Sequence, residues 1–435
     1  MKAYIETFGC QMNEYDTERI LYHLEQIGYK PSESRDDADI IVINTCAVRE
    51  NAANRLFGHL GNLKKQMKSK PNTILCVGGC TAQNIGDQIQ KTYPFVDIVF
   101  GTHNISELPL LIEQRIKGRK GICSIVDDGF DYDLDKSKRV SDFQALVPIT
   151  IGCNNFCSYC IVPYVRGREK SIEPKKIINT VKKLVSDGVI EVTLLGQNVN
   201  SYGKDLDNNI IFSKLLEDIS KISGLKRIRF MTSHPKDFSP DLIEVIRSRD
   251  NIVKHIHLPL QAGSDRILDR MNRKYTRDQF INIVTDVRKH IESSSITSDI
   301  IVGFPGEDRK DFEDTLDMVK KVRFSRVFTF IYSPREGTAA SNMEDIVSLE
   351  EKKRWFNELL QLQNKISLEE NETYRGTKTK VLVEGRSPKN SELLEGRMEN
   401  NIIVNFKGSI DLVGKIVSLK IVDVKTFYLM GELIV

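Results

Sequence analysis

The chain has 435 residues, 40% of them hydrophobic, and a formal net charge of +3 from 63 Lys and Arg against 60 Asp and Glu. That length implies two to four globular domains, and so even a charge balance leaves any nucleic-acid contact to local patches. No run approaches the roughly 18 apolar residues that span a bilayer, and Met1–Glu6 carries an acid where a signal peptide needs an apolar core. The chain therefore reads as cytoplasmic with no membrane partner. Its eight cysteines read as metal ligands wherever they cluster, not as a disulfide framework.

In chain order, residues 1–117 alternate short apolar runs with amphipathic ones. Strands are predicted over Tyr4–Phe8, Ile40–Asn44, Ile74–Gly78 and Val96–Phe100, and helices over about 13–27, 50–67, 82–91 and 107–117. This alternation implies an α/β, doubly wound parallel sheet. Residues 118–141 are Asp-rich without steady periodicity, and read as a linker. Between 142 and 371 strands are predicted near 146–151, 189–196, 226–231, 255–260, 297–302 and 326–332. Six βα units suit a partial (β/α) barrel with its functional residues at the strand C-termini. A charged helix over about 349–370 precedes residues 372–435, where Thr379–Val383, Ile402–Phe406, Ile416–Val422 and Phe427–Leu433 are short strand-like runs. They suggest a small all-β barrel.

The sharpest signal is Cys153-Asn154-Asn155-Phe156-Cys157-Ser158-Tyr159-Cys160, three thiols in eight residues directly after the first barrel strand. Three thiolates can hold three corners of a cubane and leave the fourth iron open. The motif resembles that of radical S-adenosylmethionine (SAM) enzymes, in which SAM binds that iron through its amino and carboxylate groups. A structural zinc site wants a fourth Cys or His nearby, and none follows here. Other strand ends carry Gln197, Ser233, Gln261 and the run Gly303-Phe304-Pro305-Gly306-Glu307, suited to a nucleoside and amino-acid ligand or simply to turns. Tyr159 resembles the aromatic residue that touches adenine in that superfamily.

A second set follows the predicted N-terminal strands: Cys10 in Thr7-Phe8-Gly9-Cys10, Cys46 in Asn44-Thr45-Cys46, and Cys80 in Gly78-Gly79-Cys80. Strand carboxyl ends in a doubly wound sheet converge on one crevice, so these thiols can meet in space and hold a second cluster. The alternative is three ordinary buried cysteines. Cys76, on the Cys80 face if period two holds, is the substitute ligand, and Cys123 reads as a bystander.

The run Thr7–Asp16, the two three-cysteine sets and the C-terminal β module together resemble the radical SAM methylthiotransferases over essentially the whole chain. The Gln11-Met12 pair and the stretches Ile161–Tyr164 and Arg166-Gly167-Arg168-Glu169 resemble the branch that acts on isopentenylated adenosine beside the tRNA anticodon. Ile172 departs from the arginine expected there. The resemblance implies two [4Fe-4S] clusters, SAM, an electron donor of the flavodoxin or ferredoxin class and a sulfur donor. It also implies an RNA-binding TRAM-like domain, with Glu384-Gly385 and Leu394–Arg397 as its turns. Arg166, Arg168 and Arg397, with the lysines near 175–183, are the candidate RNA contacts. The alternatives are methylthiolation of another tRNA adenosine derivative or of a ribosomal protein side chain, or a non-catalytic iron–sulfur or RNA-binding protein.

Overall fold

The run Ile40-Ile41-Val42-Ile43-Asn44-Thr45 is buried along its whole length, as a parallel strand covered on both faces must be. In the computed structural model, which describes residues 1–434 except 48–49, 128, 130–131 and 208–209, and not the side chains of 50–54 or 66, it lies mid-sheet. That sheet contains β1 (Lys2–Phe8), β2 (Lys30–Pro31), β3 (Ile40–Thr45), β4 (Ile74–Gly79), β5 (Ile98–Phe100) and β6 (Ile122–Ser124), all parallel, in the order β2-β1-β3-β4-β5-β6. Helices α1 (Gln11–Gln26) and α4 (Leu108–Ile116) cover one face, and α2 (Glu50–Ser69) and α3 (Cys80–Thr92) the other. The strand order reverses between β1 and β3, the switch point at which such sheets bind ligands. Strand β6 lies in the segment expected to be linker. It pairs with β5 through Val99 and Cys123, so the sheet continues to Ser124, and Cys123 packs in its core.

The second body begins with β7 (Gln144–Pro148), followed by a short ribbon of β8 (Thr150–Ile151) and β9 (Lys170–Ser171) flanking the one-turn α5 (Val162–Val165). Strands β10 (Glu191–Leu195), β11 (Arg227–Phe230), β12 (His255–His257), β13 (Ser295–Val302) and β14 (Arg326–Ile331) complete it. They run parallel as β7-β10-β11 and β12-β13-β14, and the two halves join where Ile228 bridges Ile252. The result is an open six-stranded barrel with β7 and β14 as its free edges. Helices α6 (Pro174–Ser186), α7 (Phe212–Ser220), α8 (Pro240–Ser248), α9 (Asp265–Arg270), α10 (Arg277–His290) and α11 (Arg309–Val322) wrap its outside. Helix α12 (Leu349–Glu372) packs behind β14 and stacks Trp355 on Phe312. None of the described helices is long and apolar enough to cross a membrane.

The last body is a closed barrel, β15 (Lys378–Ser387), β16 (Asn390–Arg397), β17 (Ile403–Phe406), β18 (Ile416–Val424) and β19 (Leu429–Leu433), ordered β15-β16-β17-β19-β18. The two glycine-containing stretches read as turns are strands. Glu384-Gly385 lies at an irregularity in β15, and Leu394–Arg397 pairs with β17. A Cβ on Gly396 would lie 2.4 Å from the Leu382 carbonyl oxygen, so that glycine serves tight barrel closure.

This module sits against the N-terminal ends of the parallel strands. Arg227 Nη1 donates to the Arg397 carbonyl at 2.7 Å, Arg229 Nη1 to Asn401 Oδ1 at 3.0 Å, and the Ser295 hydroxyl to the Asn400 carbonyl at 2.5 Å. Arg229 Nε also donates to Glu191 Oε2 at 2.9 Å, and both side chains are buried. Removing one partner of a buried ion pair costs about 3–5 kcal/mol, and the low end applies here because Glu191 keeps Gln144 and Arg227 nearby. Arg229→Ala will therefore lower unfolding stability by about 3 kcal/mol and expose the C-terminal barrel to proteolysis, read by thermal melts and limited digestion. A change below about 1 kcal/mol, the range of exposed pairs, would show that this contact does not seat the module.

Candidate active site

Cys10 immediately precedes α1, and Cys80 is the first residue of α3. Cys46 follows β3 on the loop toward α2. Helix N-termini carry partial positive charge and free N–H groups, which favour thiolates and anionic groups. An amide network holds the strand ends in register: Asn44 Nδ2 donates to the Asn13 carbonyl at 2.8 Å and to Thr17 Oγ1 at 3.0 Å. Gly79 has φ +91, and a Cβ there would lie 2.4 Å from Asn44 Oδ1. The glycine is thus required by both its conformation and the close approach of this network.

The three thiols come together. A hydrogen bond with Cys46 is the main influence on the Cys10 thiol; burial opposes it, the Arg166 charge assists, and the net effect pulls Cys10 down to about 5. Cys80 is pushed up by burial, against the nearby Arg166 guanidinium, whose Nε donates to Cys80 Sγ at 3.2 Å. Cys76 is not interchangeable with Cys80. It lies mid-strand in the core beneath α1 and α4, its thiol pushed up by complete burial. Cys80 has left the strand through Gly79, so period two does not relate the pair.

The barrel set lies on the loop after β8. Gly152 (φ +78) passes so close to the Arg168 carbonyl that a Cβ would sit 2.3 Å from its oxygen. The Ser158 amide donates to the Met271 carbonyl at 3.0 Å and its hydroxyl to the Arg270 carbonyl at 2.8 Å. Arg273 Nη1 donates to Cys157 Sγ at 3.3 Å and Nη2 to the Pro259 carbonyl at 3.1 Å, fully buried. Sequence reasoning missed Arg273; the signal was a second arginine shortly after α9, in Met271-Asn272-Arg273-Lys274-Tyr275. Burial pushes Cys153 up to about 11, and burial with the Cys157 charge pushes Cys160 up to about 12. Metal binding displaces such protons. Among the described residues no three His, Cys, Asp or Glu side chains are placed for a single metal ion. A cubane takes one thiolate per iron and does not ask for that convergence.

Four polar atoms at the strand ends are buried without a hydrogen-bond partner: Thr150 Oγ1, Gln197 Oε1, Ser233 Oγ and Tyr332 OH. Buried polar groups are normally satisfied, so these unmet donors and acceptors at the strand ends suit a polar ligand such as SAM. Gln197 and Ser233 were read from the sequence; Thr150 and Tyr332 were not. Tyr159 packs edge-on to Phe304 at 6.5 Å, and burial, then the Cys157 charge, pushes its hydroxyl far up. Gln261 has φ +68, and its backbone amide and carbonyl bond to β13. Ile172 is buried in the barrel core.

Arg166 does not face RNA. It is 3% exposed, with Nη2 2.5 Å from Asp16 Oδ2 and Nη1 donating to Tyr132 OH at 3.0 Å. Sequence position next to the cluster loop could not show that its partners come from the other body. Lys176 and Lys183 are also engaged, with Asp133 and Asp135 of the connecting segment. Arg168 is exposed, its guanidinium 4.2 Å from the Phe156 ring centroid. Arg397 Nε pairs with Glu384 Oε2 at 3.0 Å. It lines a cavity of about 600 Å³ that also touches Gln11 and Glu18 of α1, Glu191 of β10 and Arg229 of β11, at the junction of all three bodies.

Family models match along the chain: Uncharacterized protein family UPF0004 over residues 2–101, the Radical SAM superfamily over 147–319 and the TRAM domain over 372–434. The tRNA-2-methylthio-N(6)-dimethylallyladenosine synthase of Thermoanaerobacter pseudethanolicus is 48% identical over 99% of this chain and 92% of its own length. That of Carboxydothermus hydrogenoformans is 48% identical over 99% of both chains. The chain belongs to this synthase family. Among solved structures, a radical SAM methyltransferase from Kitasatospora setae with cobalamin and a [4Fe-4S] cluster bound aligns at a TM-score of 0.56 and 11% identity. It covers 78% of this chain and 74% of that one, a likeness of fold alone. As a member of the family, the chain is a radical SAM methylthiotransferase that uses [4Fe-4S] clusters and SAM.

With two three-cysteine sites, anaerobically reconstituted protein will hold about eight irons. Replacing Cys153, Cys157 and Cys160 together will leave about four, as will replacing Cys10, Cys46 and Cys80. Cys76→Ala will keep all of them. Loss of a whole cluster on Cys76→Ala would overturn the ligand assignment.

Proposed function

We propose that this enzyme adds a methylthio group to the adenine ring of N6-isopentenyladenosine beside the anticodon of tRNA in the cytoplasm. The observation that carries the mechanism is the bridge between the cysteine sets. Arg166 lies six residues after Cys160, a span of about 9 Å at helical rise, and its side chain reaches Cys80 Sγ. The two candidate cluster sites therefore share one neighbourhood, into which one substrate carbon can be placed. Cys153, Cys157 and Cys160 would hold a cluster able to supply the electron for reductive cleavage of SAM, and Cys10, Cys46 and Cys80 would hold one able to carry the sulfur that is transferred.

The chain's own residues position and enclose. Thr150, Gln197, Ser233 and Tyr332 orient SAM at the strand ends, while Arg273 and Arg166 each donate an N–H to one cysteine sulfur. Met12 fills the joint against the barrel core, and Gln11 faces the junction cavity. The target carbon carries no acidic proton, so a positioned general base cannot activate it and a radical is required. The electron comes from a flavodoxin- or ferredoxin-class donor, and the sulfur from a separate donor.

Nucleoside mass spectrometry of tRNA from cells lacking the protein will show N6-isopentenyladenosine accumulating without its 2-methylthio form. The wild-type chain will restore the modified nucleoside; the Cys80→Ala chain will not. In vitro, Cys80→Ala will still cleave SAM, and Cys157→Ala will not. Unchanged tRNA nucleosides, with loss of a methylthio group from a ribosomal protein, would favour the alternative substrate.

A further inference from the structure

Strand β14 pairs only with β13 and is one free edge of the open barrel. Its alternate residues Arg326, Phe328 and Phe330 share one face, while Val327 is buried on the other side. Phe328 and Phe330 are 42% and 41% exposed. Two large aromatic rings left open on one strand edge are unusual for a surface without a ligand. Phe328 lies edge-on to His257 at 6.0 Å, and the neighbouring His255 lines the junction cavity. The exposed rings are thus the outer lip of the barrel interior.

The row continues into the C-terminal barrel. The Arg326 guanidinium lies 5.2 Å from the Phe328 ring centroid and 5.6 Å from that of Phe427, which is 53% exposed. Among the described residues no carboxylate pairs with Arg326, and Arg397 is the charge that acts on it. Phe330, Phe328, Arg326 and Phe427 therefore form a continuous aromatic–cation–aromatic platform across two bodies. Aromatic faces and guanidinium planes stack on unpaired bases, and an uncompensated arginine attracts phosphate.

We infer that this platform binds unpaired bases of the tRNA anticodon loop along the open β14 edge of the barrel. The inference rests on RNA being the substrate. It commits to single-stranded RNA because the platform couples open rings to an unpaired cation along the open edge of the barrel, whereas a purely apolar partner would leave Arg326 buried without a counter-ion.

The test uses full-length holoenzyme and a labelled RNA anticodon stem-loop carrying N6-isopentenyladenosine, with a fully paired RNA duplex of equal length as control. Phe328→Ala and Phe330→Ala will each weaken stem-loop binding about tenfold, the loss of one base stack, and will leave duplex binding unchanged. Phe328→Tyr and Phe330→Tyr will bind within about twofold of wild type, since the stacking ring remains. Arg326→Ala will reduce the salt dependence by about one phosphate contact. Failure of the wild-type enzyme to bind the stem-loop would overturn the RNA reading and this inference together. Normal wild-type binding with unchanged affinity in both alanine variants would overturn the platform alone. So would equal losses for the duplex, tenfold losses in the tyrosine variants, or unchanged RNA affinity with altered self-association in sedimentation.

Discussion

The structure turns on one buried guanidinium. Arg166 carries a full charge at 3% exposure, which is tolerable only because its donors are met by a carboxylate, a phenol and a sulfur. Those partners are Asp16 on α1, Tyr132 in the connecting segment and Cys80 at the start of α3, while Arg166 itself follows the barrel's cysteine loop. This side chain thereby ties the N-terminal sheet to the barrel. Around it, the Thr102 hydroxyl donates to the Val165 carbonyl at 2.6 Å, and Ala47, Cys80, Ile161 and Val165 form a small apolar cluster.

The two cysteine sets differ in electrostatic setting. Cys10 and Cys80 stand at helix starts, and Arg166 beside them is balanced by Asp16. Arg273 beside Cys157 has only neutral oxygens besides the sulfur, the Pro259 carbonyl and the Tyr275 hydroxyl. An uncompensated positive charge favours added negative charge on a neighbouring group, and the Asp16-paired Arg166 provides less of it than Arg273 does.

An open barrel has two exposed strand edges, which proteins normally cover. Helix α1 packs against β7 at one edge, so the N-terminal body closes that side while presenting Cys10. The other edge, β14, stays open and aromatic. The C-terminal module closes the floor through Arg227, Arg229 and Ser295. It is therefore part of the wall of the junction cavity as well as an RNA-binding candidate, a role its lack of cysteine and histidine did not suggest.

Local chemistry was legible in the chain. The Cys-x3-Cys-x2-Cys spacing names its own product, because three thiolates on one loop leave one iron open whatever surrounds them. The alternation of strand and helix placed Cys10, Cys46 and Cys80 at strand ends, and sheet topology does the rest. The end of β15 and strand β16 were hidden because Gly385 and Gly396 signal turns in sequence, while in a small closed barrel they mark irregularity and tight strand approach. Strand β6 was hidden by its length of three residues in a charged stretch without steady periodicity. The partners of Arg166, Arg273, Arg229 and Arg326 could not be read at all. A charged side chain reaches across bodies whose relative placement no local pattern encodes, and whether an arginine meets a carboxylate, a sulfur or solvent is decided only when the three bodies dock.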